Sequence, residues 1–262
     1  MCSFLSPLLP SSILESPSPS NLDGISAGAE FWQRAFCVTL ICDYCVALRS
    51  APTVRATASV LAHRFYHSKS VREFPPQDVA MGAVFLAGKA EEDARSMRSV
   101  VCVAYAAAAR RRGVLTGAGP PLILGGLEYT NMKTALARCE RFLLKSIGFQ
   151  VHAGISTHHP QGFLLFFIRV LGGNADLAQA AWAALNDAQK RDLCVRHTPE
   201  TIACGALYIA ARLLNFPLPT QVPWTQVFGV TIEETYLVAA AILQVREMER
   251  NDKIGWIDLP DR

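Results

Sequence analysis

Three observations predict an all-α chain built from two similar lobes. From Phe31 onward, apolar residues recur at helical spacing almost throughout. No strand pattern is evident beside them. A segment of the first half, PQDVAMGAVFLAGK, also returns in the second as PETIACGALYIAAR. A shift of 123 residues sets Pro76 on Pro199 and keeps Ala80, Gly82, Ala83 and Ala87 identical. Phe85 then meets Tyr208, and Lys89 meets Arg212. Small-residue helices recur by chance, but here the proline start, the aromatic and the basic end all hold register. The period is far too long for a solenoid repeat, so it marks two lobes, each with a small-residue helix at its centre.

The elements follow in order. Residues 1–29 are rich in Ser and Pro, with Ser-Pro pairs at Ser6, Ser16 and Ser18, and read as a flexible arm. Ser-Pro pairs are also what proline-directed kinases modify. A first helix with Phe36, Leu40 and Ala47 on its apolar face ends near Leu48, before Pro52. A second runs from about Thr53 to His67, burying Val60, Leu61 and Phe65. Pro75-Pro76 opens a third, Gln77 to about Ala90, whose Ala and Gly content lets neighbours approach its backbone. A fourth covers Met97 to Arg111. After a Gly- and Pro-rich loop from Gly113 to Gly126, a fifth runs from Thr130 to about Ser146. The first lobe therefore spans 30–149, the second 150–250, and 251–262 form a tail.

Composition narrows the function. The chain has 262 residues, is 51% hydrophobic and 18% charged, which suits filled cores rather than disorder. A net charge of +3 gives no strongly basic face, so direct nucleic-acid binding is not expected. The run Arg110-Arg111-Arg112 reads as a solvated helix end. Residues 1–29 contain no Lys or Arg, and no stretch has the composition of a spanning helix, so a soluble intracellular protein without membrane contact is expected. The eight cysteines, scattered in apolar patterns, read as reduced thiols.

Candidate chemistry dissolves on inspection. Cys42 and Cys45 form C-x-x-C, and His63 and His67 form H-x-x-x-H. On antiparallel helices the two pairs would be offset by roughly 9 Å, too far for one tetrahedral metal. Arg64 follows His63 where zincin chemistry needs Glu. No nucleophile elbow or phosphate-binding glycine loop is present. His158 and His159 read as capping or solvent-facing, and the pairs Glu91-Glu92 and Glu233-Glu234 as solvated helix ends. No catalytic residue, metal or cofactor is therefore expected, which favours a binding protein over an enzyme.

The stretches HRFYHSKS, VAMGAVFLAGKAEE and ARCERFLLKSIGFQVH resemble the first cyclin box. PPLILGGLEYTNMKTALARCER and AWAALNDAQKRDLCVRHTPETIACGALYIAARLLNFPLP, continued by VPWTQVFGVTIEE, are most similar to the cyclin L group. The resemblance covers about Asn21 to Val245. It implies two tandem five-helix cyclin-box lobes and a nuclear regulatory subunit of a cyclin-dependent protein kinase. It further implies a PITSLRE-type kinase partner and a role in RNA polymerase II transcription and pre-mRNA splicing.

In the family, a Lys near the end of the third helix and a Glu in the fifth contact the kinase's mobile regulatory helix. Lys89 and Glu140 match them, with Leu86, Leu144 and Phe149 at flanking apolar positions. Residue types alone leave a salt bridge within the lobe equally open for Lys89 and Glu140. Ala94 and Ser99 stand where the family usually shows a Pro and an acidic residue. Two alternatives remain. One is a TFIIB-like transcription factor using the same double fold, which would want a zinc ribbon and a basic face. The other is a partner kinase of the cyclin K, T or Q types.

Overall fold

In the computed structural model, which describes residues 8–111, 123–149, 151, 159–219 and 223–251, every regular element is a helix. Two short ones, α1 (Ser11–Leu14) and α2 (Pro19–Leu22), precede α3 (Ala27–Leu48), α4 (Pro52–Tyr66), α5 (Pro76–Ala90), α6 (Met97–Arg111) and α7 (Leu127–Ser146). Then come α8 (Pro160–Val170), α9 (Ala175–Ala188), the short α10 (Leu193–Arg196), α11 (Pro199–Leu213), a 3-10 helix at Gln226–Phe228 and α12 (Ile232–Asn251). Ser6, Arg112, His158, most of the loop after α6 and the tail beyond Asn251 lie outside the described residues.

Proline sets several helix starts. Pro19, Pro52, Pro76 and Pro199 each occupy the first helical position, where the absent N–H leaves no bond unmade. Asn174 and Thr198 cap α9 and α11 by accepting from Leu177 N and Thr201 N. At the start of α12, Thr231 Oγ1 accepts from Glu234 N and donates to Glu234 Oε2. Helix α7 begins three residues before the expected Thr130, because Gly125 turns at φ +88° and the extended Gly126 starts the helix.

The described residues fall into two compact units. One runs to His159 and includes Cys194–Arg196; the other comprises Pro160–Leu193 and the chain from His197 onward. In the first, α5 packs against α3, α4, α6 and α7. In the second, α11 packs against α8, α9 and α12, and the 3-10 helix stands where a fifth long helix would complete the set. The prolines of NFPLPTQVP explain that short turn, since each removes a backbone donor. Phe228 secures it by stacking on Phe167 at 3.8 Å.

The repeat is structural: α5 and α11 span the same residues once shifted by 123. A Cβ on Gly82 would lie 2.8 Å from Cys139 Cβ and 3.2 Å from Glu140 N. One on Gly205 would lie 2.6 Å from Val238 Cγ1 and 3.3 Å from Ala239 N. In both units a glycine of the central helix thus lets the last helix approach to backbone contact.

Aromatic edges fill the first core, with Phe74 at 5.0 Å from both Phe65 and Phe142. By length and composition α3 could cross a bilayer, yet Cys37, Val38, Leu40, Ile41 and Tyr44 bury it in this core. The seven described cysteines are free thiols. Burial pushes Cys45, Cys139 and Cys204 up to about 12, and Cys37 further, which makes them inert packing groups. In the second unit, burial alone would lower Lys190, but its bonds to Glu249 and Asp187 prevail and raise it. Arg246 joins the same Asp187, tying α9 to α12.

Three local expectations are corrected. Instead of trailing free throughout, the Ser/Pro-rich segment is anchored by Ser20, which is buried and accepts from Val71 N. Arg111 is not a solvated end: it pairs with Asp43 at 2.5 Å and lies over the Phe36 ring. Neither Glu91 nor His159 faces solvent. Thr57 Oγ1 donates to Glu91 Oε1 at 2.6 Å and sits 2.8 Å from His159 Nε2.

Gly82→Ala and Gly205→Ala should each destabilise the chain by about 1–3 kcal/mol in urea titrations, despite alanine's better helix propensity. Gly162→Ala, on an open face of α8, should be neutral or stabilising.

Candidate functional site

Lys89 is the penultimate residue of α5, and its position depends on the segment that follows. Asp93 Oδ2 accepts from Ala51 N at 3.0 Å, across the turn between α3 and α4. Arg95 pairs with Asp93 at 2.8 Å and donates to Arg49 O at 3.1 Å. A Cβ on Gly88 would stand 3.0 Å from Asp93 O, so glycine allows this segment to fold back on the helix end. The Thr57–Glu91–His159 cluster pins the same end from the α4 side. None of these residues was singled out as part of the site, because their contacts span 34 to 102 positions. The adjacency of Glu91 and Asp93 to Lys89 was the available signal.

Glu140 projects from α7, beside the backbone approach at Gly82. Lys89 Nζ and Glu140 Oε1 meet at 2.5 Å, and Lys89 Nζ also lies 4.1 Å from the centre of the Phe85 ring. The Lys89 side chain is 47% exposed and that of Glu140 17%. The fold therefore brings the two residues together as a surface ion pair, which is the within-lobe salt bridge that the residue types left open. Its donors and acceptors remain open to a partner on one side.

The apolar residues divide. Leu144 is half-buried one turn along from Glu140 and packs on the core edge. Leu86 is only 4% exposed, so it is a core residue beneath the site and not a surface contact. Helix α5 is apolar nearly all round, which is why spacing did not separate its faces. Phe149 is 67% exposed just beyond α7 and stands at φ +61°, with its N–H bonded to Leu144 O at 2.9 Å. A non-glycine residue in that conformation carries about 1–2 kcal/mol of backbone strain. A large apolar ring is thus displayed to solvent at some cost. Among the described residues, no group of three or more His, Cys, Asp or Glu could hold a metal ion.

Residues 11–152, more than half of the chain, match the family model described as cyclin, N-terminal domain. The human protein Cyclin-L1 is 38% identical over 232 residues, covering 88% of this chain and 43% of that protein. Mouse Cyclin-L2 is 36% identical over 238 residues, 90% of this chain and 44% of that one. Rice Cyclin-L1-1 is 38% identical over 211 residues, 80% of this chain and 48% of that one. The chain thus spans less than half the length of these relatives.

Among solved structures, the yeast RNA polymerase II CTD kinase CTDK-1 complex contains a similar chain. Its TM-score is 0.75 at 18% identity, covering 95% of this chain and 75% of that one. A viral cyclin from herpesvirus saimiri matches with a TM-score of 0.59 at 12% identity, over 83% of this chain and 85% of that one. These likenesses concern the fold.

Because Lys89 is half exposed, solvent screens its pair with Glu140, and the net contribution to folding should be about 0–1 kcal/mol. A double-mutant cycle of Lys89→Ala and Glu140→Ala in thermal or urea unfolding should give a coupling within that range. A coupling of several kcal/mol would instead make the pair a structural bolt.

Proposed function

The chain belongs to the cyclin family, and on that premise we propose that it is the regulatory subunit of a cyclin-dependent protein kinase. It binds and activates that kinase in RNA polymerase II transcription and pre-mRNA splicing, in the nucleus, with a PITSLRE-type kinase as its partner. The relatives named cyclin-L1 and cyclin-L2 support this subgroup. The fold likeness to a chain of a CTD kinase complex is in keeping with a kinase-subunit role and says nothing of the subgroup.

The observation that carries the reading is the Lys89–Glu140 pair, held at the surface between α5 and α7, with Leu144 one turn from Glu140 and Phe149 exposed beyond the end of α7. Lys89 donates to carbonyls at the end of the kinase's regulatory helix, and Glu140 accepts from its amides. Leu144 and Phe149 supply the apolar centre, while Leu86 supports it from the core.

Activation follows from position. A kinase whose regulatory helix is rotated outward cannot pair that helix's Glu with the ATP-orienting Lys. A subunit that binds only the inward arrangement shifts the population and helps order the activation loop. Moving the kinase from mostly inactive to mostly active requires about 5.5 kcal/mol of differential affinity. An interface of standard size with a desolvated apolar centre provides that amount.

Co-precipitation of the tagged chain from its own cells should recover an active kinase of the PITSLRE type, identified by mass spectrometry. Lys89→Ala with Glu140→Ala should weaken capture by about 30-fold or more, equivalent to about 2 kcal/mol, and leave the helical circular-dichroism spectrum unchanged. Recovery of another kinase would move the subgroup. Undiminished capture by the double variant would remove Lys89 and Glu140 from the interface.

A further inference from the structure

The Ser-Pro pairs near the start of the chain are not used by the kinase-binding face, and one of them occupies a special position. Ser16 is exposed and its hydroxyl bonds locally to Ile13 O. Ser18 is different. Its hydroxyl caps α2 by accepting from Asn21 N and donates its own proton to Glu30 Oε2 at 2.5 Å. Glu30 is 6% exposed and holds Arg34, itself 8% exposed, through both Nε and Nη2. Arg34 Nη2 continues to Tyr66 O at the end of α4 at 2.7 Å. Two residues beyond Ser18, Ser20 accepts from Val71 N. A single hydroxyl proton therefore links the leading segment to a buried ion pair that joins α3 to α4.

We infer that Ser18 is a phosphorylation site for a proline-directed Ser/Thr protein kinase, and that its phosphorylation releases the leading segment from the first lobe. Pro19 supplies the proline such an enzyme reads. Ser18 already has an extended backbone, φ −66° and ψ 156°, as residues before proline prefer. The residues just before it, Glu15 to Pro17, are exposed. In the transfer, Ser18 Oγ attacks the γ-phosphorus of Mg-ATP, and a P–Oγ bond forms as the bond to the β-phosphate oxygen breaks. ADP leaves, and the hydroxyl proton passes to the kinase's catalytic carboxylate.

The sign of the effect follows from the partner. The product has lost the proton that Glu30 accepted, and it carries about −1.5 to −2 charges at neutral pH. An acceptor-only group then faces a carboxylate that Arg34 already neutralises. Glu30 and Arg34 sum to zero, so the phosphate leaves the cluster strongly negative at a partly buried position. Repulsion and lost hydrogen bonding act in the same direction: Ser18 leaves Glu30, and Ser20 is drawn from Val71 N.

The test uses the full chain, a purified proline-directed kinase and Mg-ATP, with site mapping by mass spectrometry and hydrogen exchange before and after. Phosphate is expected on Ser18. Amide exchange in residues 20–34 and at Val71 should then accelerate about tenfold or more. Ser18→Ala, treated identically, should show no acceleration on treatment, which separates Ser18 from Ser16. If Ser18→Ala is itself loosened, the wild-type chain with and without phosphate still decides. Modification of Ser16 that leaves Ser18 bare overturns the site assignment. Phosphorylated Ser18 with unchanged exchange overturns the release.

Discussion

The architecture depends on the closeness with which one helix in each unit meets the last. Gly82 and Gly205 have no Cβ, and the space one would need is taken by Cys139 and Glu140 in the first unit and by Val238 and Ala239 in the second. Packing at backbone distance lets the central helix be surrounded: α5 touches α3, α4, α6 and α7, and α11 touches α8, α9 and α12. A side chain at either glycine would push the last helix outward and open voids along the others, because cores are packed without slack. That the same glycine serves both units explains why the sequence repeat is most visible there.

The surface pair follows from this contact. The backbone of Glu140 is one of the atoms packed against Gly82, so the approach that builds the core also sets the carboxylate's position. Lys89 is set from the other side, by the Asp93–Arg95 clip to the α3–α4 turn and by Glu91 bonded to Thr57. The result is a charged pair positioned from both helices, with Phe149 exposed beyond the end of α7. Positioning from two sides suits a subunit whose proposed role is to select one arrangement of a mobile helix. A preorganised surface loses little entropy on binding.

Local signals in the sequence were sufficient for the five long helices of the first lobe and for the repeat. Prolines at 52, 76 and 199 mark helix starts, and the register of Gly82 with Gly205 marks the central helices. Lys89 and Glu140 were found through the family resemblance, and the fold places them in contact. What escaped was long-range or facial. Glu91 and His159 look solvent-facing from their neighbours, yet both meet Thr57 from distant positions. Ser18 and Ser20 sit in a linker-like composition, but hydrogen bonds to Glu30 and Val71 tie them down. Leu86 lies on a helix apolar on nearly every side, so periodicity does not tell core from surface there.

The most direct measurement of the central claim is a hydrogen-exchange footprint of the chain with and without the proposed partner kinase. Protection should concentrate at the end of α5, around Leu86 to Asp93, and along α7 from Leu136 to Phe149. Protection confined to the second unit, with α5 and α7 exchanging as in the free chain, would contradict it.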